Sequence, residues 1–266
     1  MSNDKTIAIN PGDAETAALP LAIVSDIHAN LPALEAVLAD IESQGITRII
    51  CLGDVVGYGP DPVECWRRIR AVADIIIMGN HDMALVTREM PRFHPRAKQA
   101  IDWTTNRILE ESDGQDILKA ISSLPLSESE ADRLYVHGSP AGGTMDYLLP
   151  ADVFDRQRMI REFKEVKHLA FNGHSHIPGV IEKGAAFMPP ESLADRVYFL
   201  TKDKAIINVG SVGQPRDGDN RSCYVTVWDD RIQYHRVRYP ADVTCEKILS
   251  IPELDPFLGK RLMVGR

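Results

Sequence analysis

The feature of the sequence that most constrains its fold is a repeated pairing of a short apolar segment with a polar one. A helical pattern with apolar residues at i, i+3, i+4 and i+7 from Leu34, ending at Gly45, separates the first two apolar segments. This alternation predicts parallel strands joined by right-handed crossovers. The apolar segments have the length and composition of buried strands, and they are residues 21–26, 48–52, 74–78, 133–137 and 168–172.

The remaining segments suggest a single domain with additions at both ends. Residues 1–19 predict a disordered tail, residues 20–240 the main domain with a helical insert at about 83–124, and residues 241–266 a short helix followed by an extended tail. A helix is expected from about Asp152 to Phe163. After Gly173 the apolar runs shorten, which predicts antiparallel hairpins. Their strands are expected at residues 179–182, 197–200, 205–209, 222–228 and 231–237.

Charge and composition exclude several classes of protein. Lys and Arg total 30 against 38 Asp and Glu, so the formal net charge is −8. We therefore expect no nucleic-acid partner held by counterion release. No apolar run reaches the length of a membrane span, so we expect no membrane partner. The four cysteines do not form a disulfide or zinc-ribbon pattern, which predicts a cytoplasmic protein with reduced thiols. The oligomeric state stays open.

Metal-capable side chains follow all five apolar segments. Because ligands bind at the carboxyl ends of strands in such sheets, we expect these side chains to converge. Clustered carboxylates and imidazoles require cations, and a mixed nitrogen and oxygen donor set suits Mn, Fe or Zn. The set is too large for one tetrahedral ion and predicts two divalent ions. The residues are Asp26, His28, Asp54, Asn80, His81, Asp82, His137, His174 and His176.

The same segments carry a family resemblance. The motifs D-I-H-A-N, G-D-V-V-G-Y-G-P, G-N-H-D, V-H-G and G-H-S-H resemble those of the calcineurin-like metallophosphoesterase superfamily, in particular its small bacterial and archaeal phosphodiesterases. The similarity covers about residues 21–237. It implies an α/β fold, a four-layer α/β/β/α sandwich with mixed sheets. It also implies hydrolysis of phosphodiesters or phosphomonoesters, in small phosphoester or nucleotide substrates, by attack of a metal-bound hydroxide.

The resemblance also implies roles for individual residues. His81 is expected to act as general acid to the leaving oxygen or as a donor to the phosphoryl group, with Asp82 orienting it. The alternatives are that His81 is a further ligand and that Asp82 caps a helix starting near Met83. One ion is expected on Asp26, His28 and His176. The other is expected on Asn80, His137 and His174, with Asp54 bridging both.

Three further residues are weaker substrate-binding candidates. Asn30 is expected either to donate to a ligand or substrate oxygen or to cap the first helix. Tyr58 is expected to stack on or donate to a leaving group. Arg216 lies in a glycine-rich loop and is expected to hold a phosphate oxygen, although the loop alone is also typical of a solvated turn.

Other functions remain open. Dinucleoside polyphosphate hydrolases and protein phosphatases of the same superfamily share most motifs, but usually carry G-D-x-V-D-R-G. Here Gly57 and Tyr58 replace the Asp and Arg of that motif, which disfavours a phosphorylated protein substrate. A non-enzymatic interaction scaffold with this fold is a further alternative. The helical insert at about 83–124 is expected either to cover the cleft or to form a dimer surface.

Overall fold

Two six-stranded sheets pack face to face, with helices on both outer faces. The structure, a computed structural model, describes residues 20–90 and 93–266. The expected four-layer α/β/β/α architecture is confirmed. The tail predicted for residues 1–19 lies outside the described residues. Within the described ranges, no helix has both the length and the hydropathy needed to span a bilayer.

The sheets use short strands, and the described residues also contain four short 3₁₀ segments. The strands are β1 (Leu21–Val24), β2 (Arg48–Cys51), β3 (Ile75–Ile76), β4 (Ser127–Glu130), β5 (Arg133–Val136), β6 (Leu169–Asn172), β7 (Gly179–Glu182), β8 (Phe187–Met188), β9 (Val197–Phe199), β10 (Ala205–Asn208), β11 (Ser222–Val227) and β12 (Arg231–Val237). The 3₁₀ turns are Pro150–Phe154 between β5 and β6, Pro190–Ser192 and Ala194–Arg196 between β8 and β9, and Arg261–Met263 directly after the last helix.

The helices differ in length from five to fifteen residues. They are α1 (Leu31–Ser43), α2 (Pro62–Arg70), α3 (Asn80–Thr87), α4 (Pro95–Leu109), α5 (Gly114–Ser122), α6 (Arg156–Glu165), α7 (Ala241–Leu249) and α8 (Pro256–Lys260). The helix expected from about Asp152 is interrupted: a 3₁₀ turn ends at Phe154, and Asp155 then caps α6 by accepting from Arg158 N.

Each sheet combines a parallel half and an antiparallel half. The first has the order β3-β2-β1-β11-β12-β9, in which β1, β2 and β3 are parallel. The second has the order β4-β5-β6-β10-β7-β8, in which β5, β6 and β10 are parallel. The parallel strands predicted for the first half of the chain are confirmed. The purely antiparallel second half is wrong, because β10 returns beside β6 in the parallel sense before pairing with β7.

Alternation along the strands divides the core into layers. In β1, Leu21 and Ile23 belong to the core between the sheets, while Ala22 and Val24 pack in the cluster that includes α1 and α2. Across the second sheet, Phe163 of α6 packs in a separate cluster with residues of β6, β7 and β10. Burial on both faces keeps the strand ends fixed relative to one another, and the polar segments follow these ends.

Two differences from the expected elements bear on the site. The segment 74–78 forms only a two-residue ladder, and α3 then begins at Asn80 rather than near Met83. The G-N-H-D motif is therefore the first turn of a helix. Strands β4 and β8 are not among the predicted elements. β4 has the sequence Ser-Glu-Ser-Glu and carries no apolar residue, and β8 is only two residues long.

The C-terminal segment is not extended. It forms α7, α8 and a 3₁₀ turn, and Leu254, Leu258 and Leu262 are buried against Ala100 of α4. Leu254 precedes α8, Leu258 lies in α8 and Leu262 in the 3₁₀ turn, and burying all three stabilises the segment against the insert. The extended tail expected within 241–266 is therefore wrong.

Candidate metal centre

Side chains from the ends of β1, β2, β3, β5 and β6 meet at one edge of the two sheets. Three overlapping groups each bring donor atoms within 4.8 Å of one another. Every member of these groups is 3% exposed or less. The groups are Asp26, His28 and His176; His28, Asp54 and His81; and Asp54, His137 and His174.

In Asp26 and Asp54, one carboxylate oxygen accepts a hydrogen bond from a main-chain N–H, and the other oxygen faces the centre. Asp26 Oδ2 accepts a hydrogen bond from His174 N at 3.0 Å, and Asp54 Oδ1 accepts one from His81 N at 2.7 Å. The second oxygen of Asp54 lies 3.5 Å from His28 Nε2 and 3.4 Å from His137 Nε2. Asp54 thus stands between two sets of imidazoles, as a shared ligand would.

Two imidazoles are oriented by main-chain carbonyls. His137 Nδ1 donates to Leu52 O at 2.8 Å, and His176 Nδ1 donates to Gln214 O at 2.5 Å. These bonds place the proton on Nδ1, so that each Nε2 presents a lone pair to the centre. His176 Nε2 lies 3.2 Å from both His28 Nε2 and Asp26 Oδ1. Ligands bonded at about 2.1 Å to one ion lie about 3.0–3.4 Å apart, so this spacing suits a shared cation.

The backbone of the centre is strained. Among non-glycine residues in the described ranges, five candidate ligands have φ between 48° and 63°. L-residues seldom adopt this left-handed region, and such residues concentrate at functional sites where the surrounding structure imposes them. Tyr58 (φ 66°) belongs to the same group of loops. The five ligands are Asp26, His28, Asp54, His174 and His176.

Burial and charge set the protonation of the cluster. Burial raises the pKa of Asp26 and Asp54, but the facing imidazoles lower both below the ordinary range. Burial lowers the pKa of His28 well below its usual value and that of His174 to about 3. The centre therefore presents ionised carboxylates and mostly neutral imidazoles, which are the forms that bind metal ions.

His137 is the exception. Burial lowers its pKa, yet the carboxylate of Asp54, followed by that of Asp26, raises it to about 9. A cation at this position would take the place of that proton between His137 and Asp54.

The donor set fits divalent cations. Asp26 Oδ1 and His174 Nε2 are buried and have no hydrogen-bond partner among the described residues. Unpaired buried polar atoms are costly, and coordination to a metal ion would compensate for the lost hydration. Asn80 adds an amide oxygen, with Oδ1 3.0 Å from His137 Nε2. The mixed nitrogen and oxygen donors suit a borderline transition metal.

Comparison with known families decides the assignment. The Calcineurin-like phosphoesterase superfamily domain matches residues 19–230. The chain belongs to this superfamily. Membership indicates a phosphoester hydrolase with a divalent metal site.

Three similar proteins match this chain over most of its length. An uncharacterized protein of Methanocaldococcus jannaschii is 38% identical over 258 residues, covering 92% of this chain and 98% of the relative. A crystal structure of a metallophosphoesterase from Sphaerobacter thermophilus is 35% identical, with a TM-score of 0.80, and the match covers 94% of this chain and 100% of that one. A hypothetical protein of Pyrococcus horikoshii shares the fold at 18% identity and a TM-score of 0.72, covering 93% and 98%.

A more distant relative has a named activity. The symmetrical bis(5'-nucleosyl)-tetraphosphatase of Cronobacter sakazakii is 27% identical over 133 residues, which is 48% of this chain and 44% of that protein.

The rings of Tyr58 and His81 contact each other beside the metal centre. Their rings lie 4.3 Å apart, and each lies 4.8 Å from the ring of His28. A Cβ atom on Gly57 would approach His81 Nδ1 to 2.4 Å, so the glycine makes room for this ring. Gly57 replaces the Asp of the phosphatase motif, and its φ of +87° favours glycine as well.

Two expected roles are not supported by the hydrogen bonds. Asn30 is 1% exposed, and its side chain accepts from Ala33 N and Thr244 Oγ1 and donates to Gly213 O. One donor and both acceptor positions of the amide are used inside the fold, and the side chain caps α1, the alternative that the sequence left open.

Asp82 does not bond to His81. Its carboxylate accepts from Gly79 N, Val55 N and Val56 N, which ties the first turn of α3 to the loop after β2. In the described ranges, His81 Nδ1 has no hydrogen-bond partner. Burial raises the pKa of Asp82 to about 7. Its position is that of a structural cap, the alternative that the sequence left open.

A cleft of about 380 Å³ opens beside the centre, and part of its wall was not predicted. It is lined by Tyr58, Asn80, His81 and His174 and by aromatic residues of other segments. Phe93 packs 5.1 Å from the His81 ring, and Tyr147 stacks 3.7 Å from the His174 ring. These residues occur in no motif, and no signal in the sequence singles them out. Because Phe93, His94 and Ala97 line the cleft, the start of the α4 region covers one side of it.

Proposed function

We propose that this chain is a dinuclear metal-dependent phosphoesterase that hydrolyses small phosphodiesters or phosphomonoesters. The observation that carries the proposal is the sharing of Asp54 by two groups of buried donors. Asp26, His28 and His176 would hold one ion, and Asn80, His137 and His174 the other. Mn, Fe or Zn suits these donors. When bound, the ions would act as Lewis acids that lower the pKa of water and bind phosphoryl oxygens.

The side chains of the centre hold the donor atoms ready. Each carboxylate is fixed by a main-chain N–H, and His137 and His176 are fixed by main-chain carbonyls. Preorganised donors need no rearrangement when charge develops on the phosphoryl group, which favours the transition state. The strained backbone of Asp54 and its neighbours is consistent with a site shaped for chemistry rather than for stability.

His81 lies beside the position of the transferred group. Its main chain is tied to Asp54, and its ring contacts Tyr58 and Phe93 at the mouth of the cleft. Burial lowers the pKa of His81 to about 4. Of its two expected roles, this favours a neutral ring that donates a hydrogen bond to the phosphoryl group over a general acid.

The cleft would receive the leaving group. Its volume of about 380 Å³ suits a nucleoside or an aryl group. Tyr147 and Tyr58 offer faces on which a flat group can stack. Tyr147 is 44% exposed and so is open to a ligand.

The test is a substrate panel run against each candidate metal. The purified chain is stripped with chelator and reloaded with Mn, Fe or Zn. It is then assayed on p-nitrophenyl phosphate, bis(p-nitrophenyl) phosphate, 2′,3′-cyclic nucleotides and dinucleoside polyphosphates. We expect metal-dependent turnover of at least one ester, lost in His176→Ala. Absence of turnover with both ions bound would contradict the proposal and favour the scaffold alternative.

Hydrolysis of dinucleoside polyphosphates is a second candidate. It is favoured by the partial similarity to the symmetrical bis(5'-nucleosyl)-tetraphosphatase of Cronobacter sakazakii. Preferred turnover of dinucleoside polyphosphates in the same panel would select this candidate over the simple esters.

A further inference from the structure

Two arginines from distant segments converge on one glutamine beside the centre. Arg216 Nη2 donates to Gln214 Oε1 at 2.7 Å, and Arg261 Nη1 donates to the same oxygen at 3.0 Å. Arg216 belongs to the loop after β10, whereas Arg261 follows α8 in the C-terminal segment. We call Arg216 and Arg261 the arginine pair.

The arginine pair has no Asp or Glu partner within the part of the chain that the structure describes. The adjacent Arg96, by contrast, pairs with Asp255 at 2.6 Å. Arg261 also donates to the main-chain oxygen of Arg266. Two like charges that share one neutral acceptor repel each other, and an anion between them would relieve this repulsion.

The positive charge of Arg216 affects the pKa of Arg261. Burial, followed by the positive charge of Arg216, lowers the pKa of Arg261 to about 10. The Arg261 guanidinium nevertheless stays protonated at neutral pH. The pair is therefore a fixed, partly buried double positive charge.

The arginine pair borders the cleft through two tyrosines. Arg216 Cζ lies 5.9 Å from the centre of the Tyr58 ring. The same guanidinium lowers the pKa of Tyr58 and of Tyr147, against the effect of burial, which raises both. Both tyrosines line the cleft. Arg216 thus lies next to Tyr58 of the cleft wall, and Arg261 is held beside Arg216 through Gln214.

The pair is also separate from the ligands. The Arg216 side chain makes its hydrogen bonds to Gln214, and only its main-chain N–H reaches His176, at the carbonyl oxygen. Gln214 meanwhile orients His176 through its own carbonyl. One residue thus fixes both a candidate ligand and the arginine pair, which holds the pair beside the centre without placing it among the donors.

We propose that the arginine pair binds a second phosphate of the substrate, next to the phosphoryl group that is hydrolysed. This inference rests on the proposed function and narrows the substrate to compounds with linked phosphates, such as nucleoside diphosphates or dinucleoside polyphosphates. Guanidinium groups suit this role because they match phosphate oxygens in bidentate geometry. Arg261 would act as a specificity residue supplied by the C-terminal segment.

The test compares two nucleotide analogues that differ by one phosphate. The Mn-loaded protein is titrated calorimetrically with the α,β-methylene analogue of ADP and with the adenosine phosphonate that carries a single phosphorus group. Neither is hydrolysed at the phosphorus–carbon bond. For Arg261→Gln we expect about 10- to 100-fold weaker binding of the diphosphate analogue, from lost charged hydrogen bonds. Binding of the single-phosphorus analogue should change less than about twofold.

Matched variants guard against indirect effects. Arg231→Gln removes an arginine that stacks on Trp228 at 4.8 Å and pairs with Asp230, at the sheet end remote from the centre. It should bind both analogues like the wild type. Arg261→Lys keeps the charge but loses the bidentate geometry, so its affinity for the diphosphate analogue should lie between those of the wild type and Arg261→Gln. If thermal unfolding shows that Arg261→Gln is not folded, Arg261→Lys is compared with the wild type instead.

Each outcome decides the inference. Equal weakening of both analogues by Arg261→Gln would mean that the pair contacts the transferred phosphoryl group, and no weakening would mean that it binds no phosphate. Either result overturns the proposal. If the substrate panel shows no turnover while the diphosphate analogue still binds through Arg261, the proposed function fails and the anion site stands.

Discussion

The ligand side and the substrate side of this site are built in different ways. The candidate ligands are buried and lie in short loops at strand ends. Hydrogen bonds between the main chains of neighbouring loops hold these loops in place. Asp26 N, for example, donates to Gly53 O, and His28 N to Asp54 O. The substrate side is formed by Tyr147 and by part of the insert, and it includes exposed residues such as Tyr147 and His94.

This difference separates chemistry from selectivity. Donors fixed by the backbone have one arrangement, which two ions require. Residues held by side-chain packing can change without moving the strand ends, so the substrate side is free to differ between relatives that keep the same ligands. Variants on the two sides should therefore differ in kind: metal content changes on one side, and affinity or rate alone on the other.

The largest effect is expected at the shared ligand. Asp54→Asn removes the charge that lies between His28 and His137. Metal content should fall by up to two ions per chain, and the rate should fall by about 10³-fold or more, because several kcal/mol of Lewis-acid stabilisation is lost. Plasma mass spectrometry and steady-state assays measure both quantities.

A carboxylate variant remote from the centre tests the specificity of that loss. Asp74→Asn changes a side chain that accepts from Ile49 N, away from the centre, and should leave metal content unchanged. Full metal occupancy in Asp54→Asn would show that Asp54 is not the shared ligand.

His81 lies at the boundary between the two sides. His81→Ala should leave both ions bound and lower the rate by about 10²–10⁴-fold, since a positioned donor to the phosphoryl group is lost. His168→Ala is the control and should leave the rate unchanged, because the His168 ring bonds to Asp132 and to Thr201 O away from the centre. A metal content reduced in His81→Ala alone would instead make His81 a ligand, as its grouping with His28 and Asp54 allows.

Gly57 tests whether the position of the His81 ring matters. Gly57→Ala brings a Cβ to 2.4 Å from His81 Nδ1 and should lower the rate by about 10- to 100-fold by displacing the ring. Gly184→Ala is the matched control. Gly184 has a φ of +86°, so an alanine there is under the same backbone strain as one at Gly57, whose φ is +87°, but its Cβ would meet nothing within 4 Å. Equal rates in the two variants would show that ring displacement has no effect.

The smallest effect on activity is expected at Asn30. Asn30→Ala loses the cap of α1 and the bonds to Gly213 and Thr244. The free energy of unfolding should fall by about 1–3 kcal/mol, while the rate per folded molecule stays the same. Denaturant unfolding with Asn220→Ala as an exposed control measures the first quantity. A lower rate at unchanged stability would restore Asn30 as a substrate contact.

The same contrast explains what could be predicted from the sequence. The ligand side is local: each motif is a strand end followed by a turn, so residues such as Asp26 and His137 are recognisable in short segments. Parallel pairing of β1 and β2 follows from the helix between them. The four-layer fold was predicted from the family resemblance that the same motifs carry.

The substrate side was not predictable, because its contacts are long-range. Arg261 meets Gln214 only after the C-terminal leucines dock against α4, and a segment interpreted as extended gives no sign of this. Asp82 and Asn30 show the opposite failure. Their motifs match polar site residues, but hydrogen bonding inside the fold decides what a buried polar group does, and this requires coordinates.

The central claim is that two ions share Asp54 between the donor groups of Asp26 and His137. A crystal grown with excess Mn and measured at the Mn absorption edge tests it most directly. We predict two anomalous peaks about 3.5–4 Å apart, with an Asp54 oxygen between them. A single peak, or a pair of peaks away from these side chains, would contradict the account.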